Sequence, residues 1–159
     1  MLQRFCKWLF EKITKDVYHR PFPKSVPLKI EPDSIAHTGL DRHAVDFLVP
    51  EGTPVCAPRE GRIVLVRECS SVGGVEEKFA DCANYLIIEH SDGERSVLIH
   101  LAKDSTTVKI GAKVRAGQVI ARQGSTGWTF DPHIHFAVYR DGTSIPIRFY
   151  ERMELPNRG

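Results

Sequence analysis

Beyond residue 20 this chain carries no long stretch with the 3.6-residue apolar period of an amphipathic helix. In its place runs a succession of short β-rich segments, "HAVDFLV", "TPVCAP", "GRIVLVREC", "ANYLIIEH", "RSVLIHLA", "KVRAGQVIARQG" and "PHIHFAVYR". Turn sequences such as "SDGE" and "RDGT" separate some of them, and Gly93 and Gly142 within those turns fit positions that need positive φ. The pattern predicts an all-β domain of antiparallel sheets packed around a core. A length of 159 residues with 42% hydrophobic content is enough for one such domain. No solenoid-length repeat or low-complexity tract interrupts it.

The exception lies at the amino terminus, where Leu2, Phe5, Leu9, Phe10, Ile13 and Val17 recur at helical spacing and predict a short amphipathic helix. We read it as a helix packed on the domain; the alternative is a helix lying on a membrane surface, whose basic polar face would look similar. Arg4, Lys7, Glu11 and Lys12 break the apolar run that a signal peptide requires, and nothing approaches the ~20 apolar residues of a membrane span. A Pro-rich connector, "RPFPKSVPLKIEPDS", follows, so the chain divides into a helix and connector over 1–35, a β domain over 36–150 and a tail over 151–159. Net charge is only +2, which gives no electrostatic case for nucleic acid as a partner. The four cysteines, at 6, 56, 69 and 82, form no CxxC pair. Cys69 and Cys82 bracket a loop that a disulfide could close, and reduced thiols are the equal alternative.

Three segments carry residues that a β core does not need. In "PHIHF", His133 and His135 are two apart on an extended strand and so face one space, ~6.5 to 7 Å apart. In "HAVDFLV", Asp46 shares a face with Ala44 and Leu48, and a carboxylate there is costly to bury without a cation or several donors. A metal would compensate it, with His37 or His43 as a nitrogen ligand; a turn cap or an Arg42 pair is the structural alternative. In "SVLIHLAKD", alternation places His100 on the face of Ser96 and Leu98. A lone histidine in such a run is ordinarily a satisfied core residue, so its weight depends on convergence with the others.

Together these segments resemble the lysostaphin-like and LytM-like zinc endopeptidases, a peptidoglycan-cleaving family. The resemblance covers about residues 36 to 140 in four ordered blocks: "AHTGLDRHAVDFLVPEGTPVCAPREGRIV", "NYLIIEHSDGERSVLIHL", "VKIGAKVRAGQVIARQGSTG" and "DPHIHF". It implies a fold of antiparallel sheets, the LytM-like duplicated hybrid motif, and one Zn2+ per chain. Asp46 and His135 match the family's ligands, and His100 and His133 match its two nonligating catalytic histidines. The common HxGxD block fails here, because four residues before Asp46 stands Arg42. A branch with an "HTGxxRYAVDF"-like block makes His37 the third ligand and leaves His43 in an aromatic position. "HTGLD" itself spells HxGxD, but Asp41 is at the wrong distance from "GTPV" and is read as coincidental. Ile99 in place of a tyrosine and Asp131 in place of a glycine are further departures that remove no ligand.

The implied activity is hydrolysis of peptide bonds in bacterial peptidoglycan, with a peptidoglycan peptide as partner and the cell envelope as site of action. Two imidazoles and a carboxylate leave a coordination position for water. No HExxH glutamate is present, so His100 and His133 must supply the base and the stabilising group. Two rival readings are a noncatalytic peptidoglycan-binding or regulatory module of the same fold, and a phosphocarrier phosphorylated on His100. The first 35 residues are a candidate cover for the groove, and Trp128 a candidate substrate contact. His19 and His90 are assigned no role at the metal.

Overall fold

The computed structural model describes residues 13–31, 34–153 and 155. Its strands are β1 (Val45–Leu48), β2 (Pro54–Cys56), β3 (Gly61–Arg67), β4 (Gly73–Gly74), β5 (Tyr85–Glu89), β6 (Arg95–Ile99), β7 (Lys113–Val114), β8 (Val119–Arg122), β9 (Gly127–Trp128), β10 (His133–Arg140) and β11 (Thr143–Ser144). Apart from 3-10 turns at Gly39–Asp41 and Glu77–Cys82, the described residues hold no helix, and none is long and apolar enough to cross a membrane.

One antiparallel sheet dominates, in the order β1-β10-β6-β5-β3-β7, with β11 paired to β10. The period-two alternation of its strands sends Val45, Phe47, Leu86, Ile88, Leu98, Ile134 and Phe136 into one core, each essentially without solvent exposure. Each such side chain contributes about 1.5–3 kcal/mol on burial. The small sheet β2–β8 closes part of that core with Val55, Ile120 and Ala121. The connector adds Phe22, edge-on to Phe47 at 5.3 Å, and Phe149 from the C-terminal side also meets Phe47 edge-on, at 5.9 Å.

The all-β expectation holds. The "KVRAGQVIARQG" run divides into β7 and β8 around a turn with Gly117 at φ +79. Cys56, Cys69 and Cys82 are free thiols, so the disulfide alternative is not realised. Residues 13–17 are bends rather than the end of a helix, because the chain there pairs with the C-terminal segment: Thr14 N–H donates to Pro146 O at 3.0 Å and Tyr18 N–H to Arg148 O at 2.8 Å. The rest of the expected helix lies outside the described residues.

A fully buried carboxylate, Glu94, ties this N-terminal segment to the sheet. It accepts from the Tyr18 hydroxyl at 2.8 Å and from Lys15 N–H at 2.8 Å, and Arg140 Nη2 also bonds it. Arg59 closes the cluster through Asp92 at 2.7 Å and the Tyr18 oxygen at 3.3 Å. Burial is the main cause that holds the Tyr18 hydroxyl protonated far above its ordinary range.

Candidate metal centre and its histidines

The register of the large sheet builds the site. Asp46 on β1 lies opposite His135 on β10, Leu48 opposite His133, and Ile99 on β6 opposite His135 from the other side. Directly opposed residues share a face, so Asp46, His133 and His135 gather on the side away from Phe47 and Ile134. The loop before the Gly39–Asp41 turn delivers His37 to the same place.

His37 Nε2 lies 3.0 Å and His135 Nδ1 2.9 Å from Asp46 Oδ1, and the three residues each bring one donor atom to within 4.8 Å of the others. All three residues are buried, Asp46 to 3% exposure. Burial would raise the Asp46 carboxyl, but hydrogen bonds from His135 and His37 and nearby imidazole charge outweigh it and hold the group far below the usual carboxylate range. Atoms bound to one tetrahedral zinc at about 2.0–2.1 Å sit about 3.3 Å apart, so this donor set fits such an ion with little movement. His43 is not in the group; its backbone N–H bonds the Ser144 hydroxyl at 3.0 Å.

His100 is placed by a departure from the strand pattern. Alternation puts it on the core face with Leu98, yet the structure turns it over: β6 ends at Ile99 and His100 takes φ +66. This left-handed residue swings the ring to the site face, 4.5 Å from the His133 ring and 6.2 Å from that of His135. The core-face assignment is therefore corrected by one backbone angle, which costs a non-glycine residue roughly 1 kcal/mol.

Both nonligating candidates have their Nδ1 atoms engaged. His100 Nδ1 donates to Thr126 O at 2.7 Å, and His133 Nδ1 donates to Asp131 O at 2.8 Å with the Thr129 hydroxyl at 3.2 Å. A carbonyl accepts only, so these bonds fix the Nδ1–H tautomer and leave each Nε2 as a bare base. His133 Nε2 lies 3.7 Å from Asp46 Oδ1. Burial, reinforced by the neighbouring His133 imidazole, pushes the His100 imidazole down to about 3, so it is neutral at ordinary pH.

The loop that offers Thr126 O is wedged in place. The Thr126 hydroxyl donates to Leu101 O and accepts from Asn84 N–H, both at 2.9 Å. Gly127, at φ +85, sits so close that a Cβ there would lie 2.5 Å from Ala83 Cβ. A cavity of about 310 Å3 opens beside His100 and His133, walled by Ile35, Leu48, Trp128 and Phe130. A second, of about 390 Å3, reaches His135 from the side of Asp41, Arg67 and Tyr85. Glu31 and residues 34–36 line the first of these cavities; residues 1–12 of the expected cover lie outside the described residues.

His90 lies apart, bonded to Glu60 O at 2.7 Å and Ser96 Oγ at 2.8 Å, and His19 packs on the Tyr150 ring. The supports Thr126, Thr129 and Asp131 are not recognisable as such in the sequence. The two carbonyls leave no sequence signal, although the "STGWTFDPH" stretch that carries them stood beside the histidine pair.

Residues 41–146 match the model of peptidase family M23. The chain belongs to peptidase family M23. His37 falls outside the matched span, in keeping with the absence of a histidine four residues before Asp46. This M23 chain is 36% identical over 99 residues to the peptidoglycan DD-endopeptidase ShyB of Vibrio cholerae, covering 62% of this chain and 20% of that one. It is 35% identical over 105 residues to the glycyl-glycine endopeptidase ALE-1 of Staphylococcus capitis, covering 66% of this chain and 26% of that one. It therefore spans a fifth to a quarter of the length of these relatives. A zinc-containing peptidase from Vibrio cholerae shares the fold with a TM-score of 0.61 at 27% identity, over 89% of this chain and 41% of that one.

Proposed function

We propose that this chain is a zinc-dependent endopeptidase that hydrolyses peptide bonds of bacterial peptidoglycan, with residues 36–150 as the catalytic unit. The observation that carries the reading is the convergence of His37 Nε2, Asp46 Oδ1 and His135 Nδ1 in a groove, with the His100 and His133 rings beside them. The donor set of two imidazoles and a carboxylate suits zinc and leaves a position open. The zinc in one M23 neighbour and the peptidoglycan bonds named for ShyB and ALE-1 support the metal and the substrate class.

Zinc held by His37, Asp46 and His135 would lower the pKa of a water toward ~7 and polarise the scissile carbonyl. His100 and His133 do the rest. One of their bare Nε2 atoms accepts a proton from the attacking water and returns it to the leaving amine, and in its protonated state that imidazolium stabilises the developing oxyanion. Thr126 O and Asp131 O orient the two rings by holding Nδ1–H, so no rotation is needed as charge develops. Ile35, Trp128 and Phe130 offer apolar surface for the peptide on one side of the scissile bond. The phosphocarrier alternative finds no support, since His100 is 8% exposed and faces two other imidazoles.

The test is digestion of two purified peptidoglycans, one directly cross-linked and one bridged by glycines, read by mass spectrometry for new amino termini. New termini in at least one, abolished by a chelator and restored by zinc, are expected. Zinc-loaded protein that releases none from either overturns the reading.

A further inference from the structure

We propose that Asp41 is a positioning residue for His135: its carboxylate accepts the Nε2–H of that imidazole and so presents a bare Nδ1 to the metal position beside Asp46. The inference rests on the metal reading above and extends it to a residue outside the ligand set, one that the sequence reading set aside as coincidental.

His135 Nδ1 is the ring atom that faces Asp46, at 2.9 Å. A neutral imidazole carries one N–H, so an Nδ1 that binds a metal leaves the proton on Nε2. A buried N–H needs an acceptor. Among the described residues His135 Nε2 is buried without a hydrogen-bond partner, and the one carboxylate within 4 Å of it is Asp41, with Oδ1 at 3.9 Å.

Asp41 is not a loose surface group at that distance. It ends the Gly39–Asp41 turn, its backbone N–H donates to Thr38 O at 3.0 Å, and its Oδ1 accepts from the Tyr139 hydroxyl. Tyr139 lies four residues beyond His135 on β10, on the same face, so one strand carries both the imidazole and the anchor of its carboxylate. Asp41 and His135 also line one cavity. A carboxylate behind a ligand imidazole fixes its tautomer and raises its basicity, and loss of such a partner lowers metal affinity by about 10–100-fold.

Zinc affinity by competition with a chromophoric chelator, for wild type, Asp41→Ala, Asp41→Asn and Tyr139→Phe, tests this alongside 15N NMR of the His135 ring. Asp41→Ala is expected to weaken zinc by about 10–100-fold. Asp41→Asn keeps an acceptor oxygen and recovers part of the loss, and Tyr139→Phe, which keeps the carboxylate, loses less than Asp41→Ala. The His135 Nε2 resonance of the zinc form shifts in the Asp41 variants. If Asp41→Ala does not fold, Asp41→Asn and Tyr139→Phe carry the comparison. Affinities within about two-fold of wild type with an unchanged His135 resonance overturn the inference and leave the metal site standing. So does a loss confined to the stability of the metal-free protein. Wild-type protein that binds no zinc overturns the metal reading and this inference with it.

Discussion

Replacing His100 by glycine separates what this residue does for the fold from what it does in the groove. At φ +66 glycine relieves roughly 1 kcal/mol of backbone cost. The lost bond to Thr126 O removes about 1 kcal/mol in the other direction. Near pH 7.5 these two effects offset each other. At pH 5 the balance changes, because an unfolded histidine with its ordinary pKa of 6.5 takes up a proton while folded His100, pushed down to about 3, does not. The folded state thus loses stability as pH falls from about 6.5 toward 3, and at pH 5 the loss is about 1.5 pH units, or ~2 kcal/mol. His100→Gly escapes it. In urea unfolding of metal-free protein, the variant should therefore gain ~2 kcal/mol on wild type between pH 7.5 and pH 5, while peptidoglycan hydrolysis falls by about 10²–10⁴-fold. A stability difference that is the same at both pH values would refute the claim that His100 is a desolvated neutral base.

Gly127→Ala forces a Cβ into Ala83 at a left-handed position, so we expect a loss of roughly 2–4 kcal/mol in urea unfolding and lower kcat from a displaced Thr126 carbonyl; unchanged midpoint and kcat would contradict the wedged loop. Glu94→Ala leaves Tyr18, Lys15 N–H and Arg140 without their buried acceptor and should cost about 3–5 kcal/mol, with new protease cleavage in residues 13–22 under native conditions. An unaltered cleavage pattern would show that the cluster does not anchor the segment. His133→Ala should keep bound zinc while hydrolysis drops by about 10²–10⁴-fold, measured as metal content and peptide release on the same sample.

Asp46, His133 and His135 were legible because strand alternation is a fixed period: the same rule that buries Phe47 and Ile134 sends their neighbours to the other face. His37 was told apart from His43 only through the family's block pattern, since it arrives on a loop whose path no periodicity describes. His100 was assigned to the wrong face because a single positive φ ends β6, and a histidine gives no warning of that conformation. Glu94 passed unnoticed as one charge in the "SDGE" turn, since its burial depends on Tyr18 and Arg140 arriving from 76 and 46 residues away in sequence. Asp41 was dismissed on spacing along the chain, whereas its approach to His135 is made by the tertiary fold, from the turn that precedes β1.

The account turns on one metal centre, and the direct measurement is zinc per chain by elemental analysis on purified protein. Wild type, His37→Ala, Asp46→Ala, His135→Ala and His43→Ala would be loaded and dialysed in parallel. The account predicts about one zinc in wild type and His43→Ala, and its loss in the other three. Full zinc retention in His37→Ala with loss in His43→Ala would contradict the assigned ligand set, and wild-type protein that takes up no zinc would contradict the account as a whole.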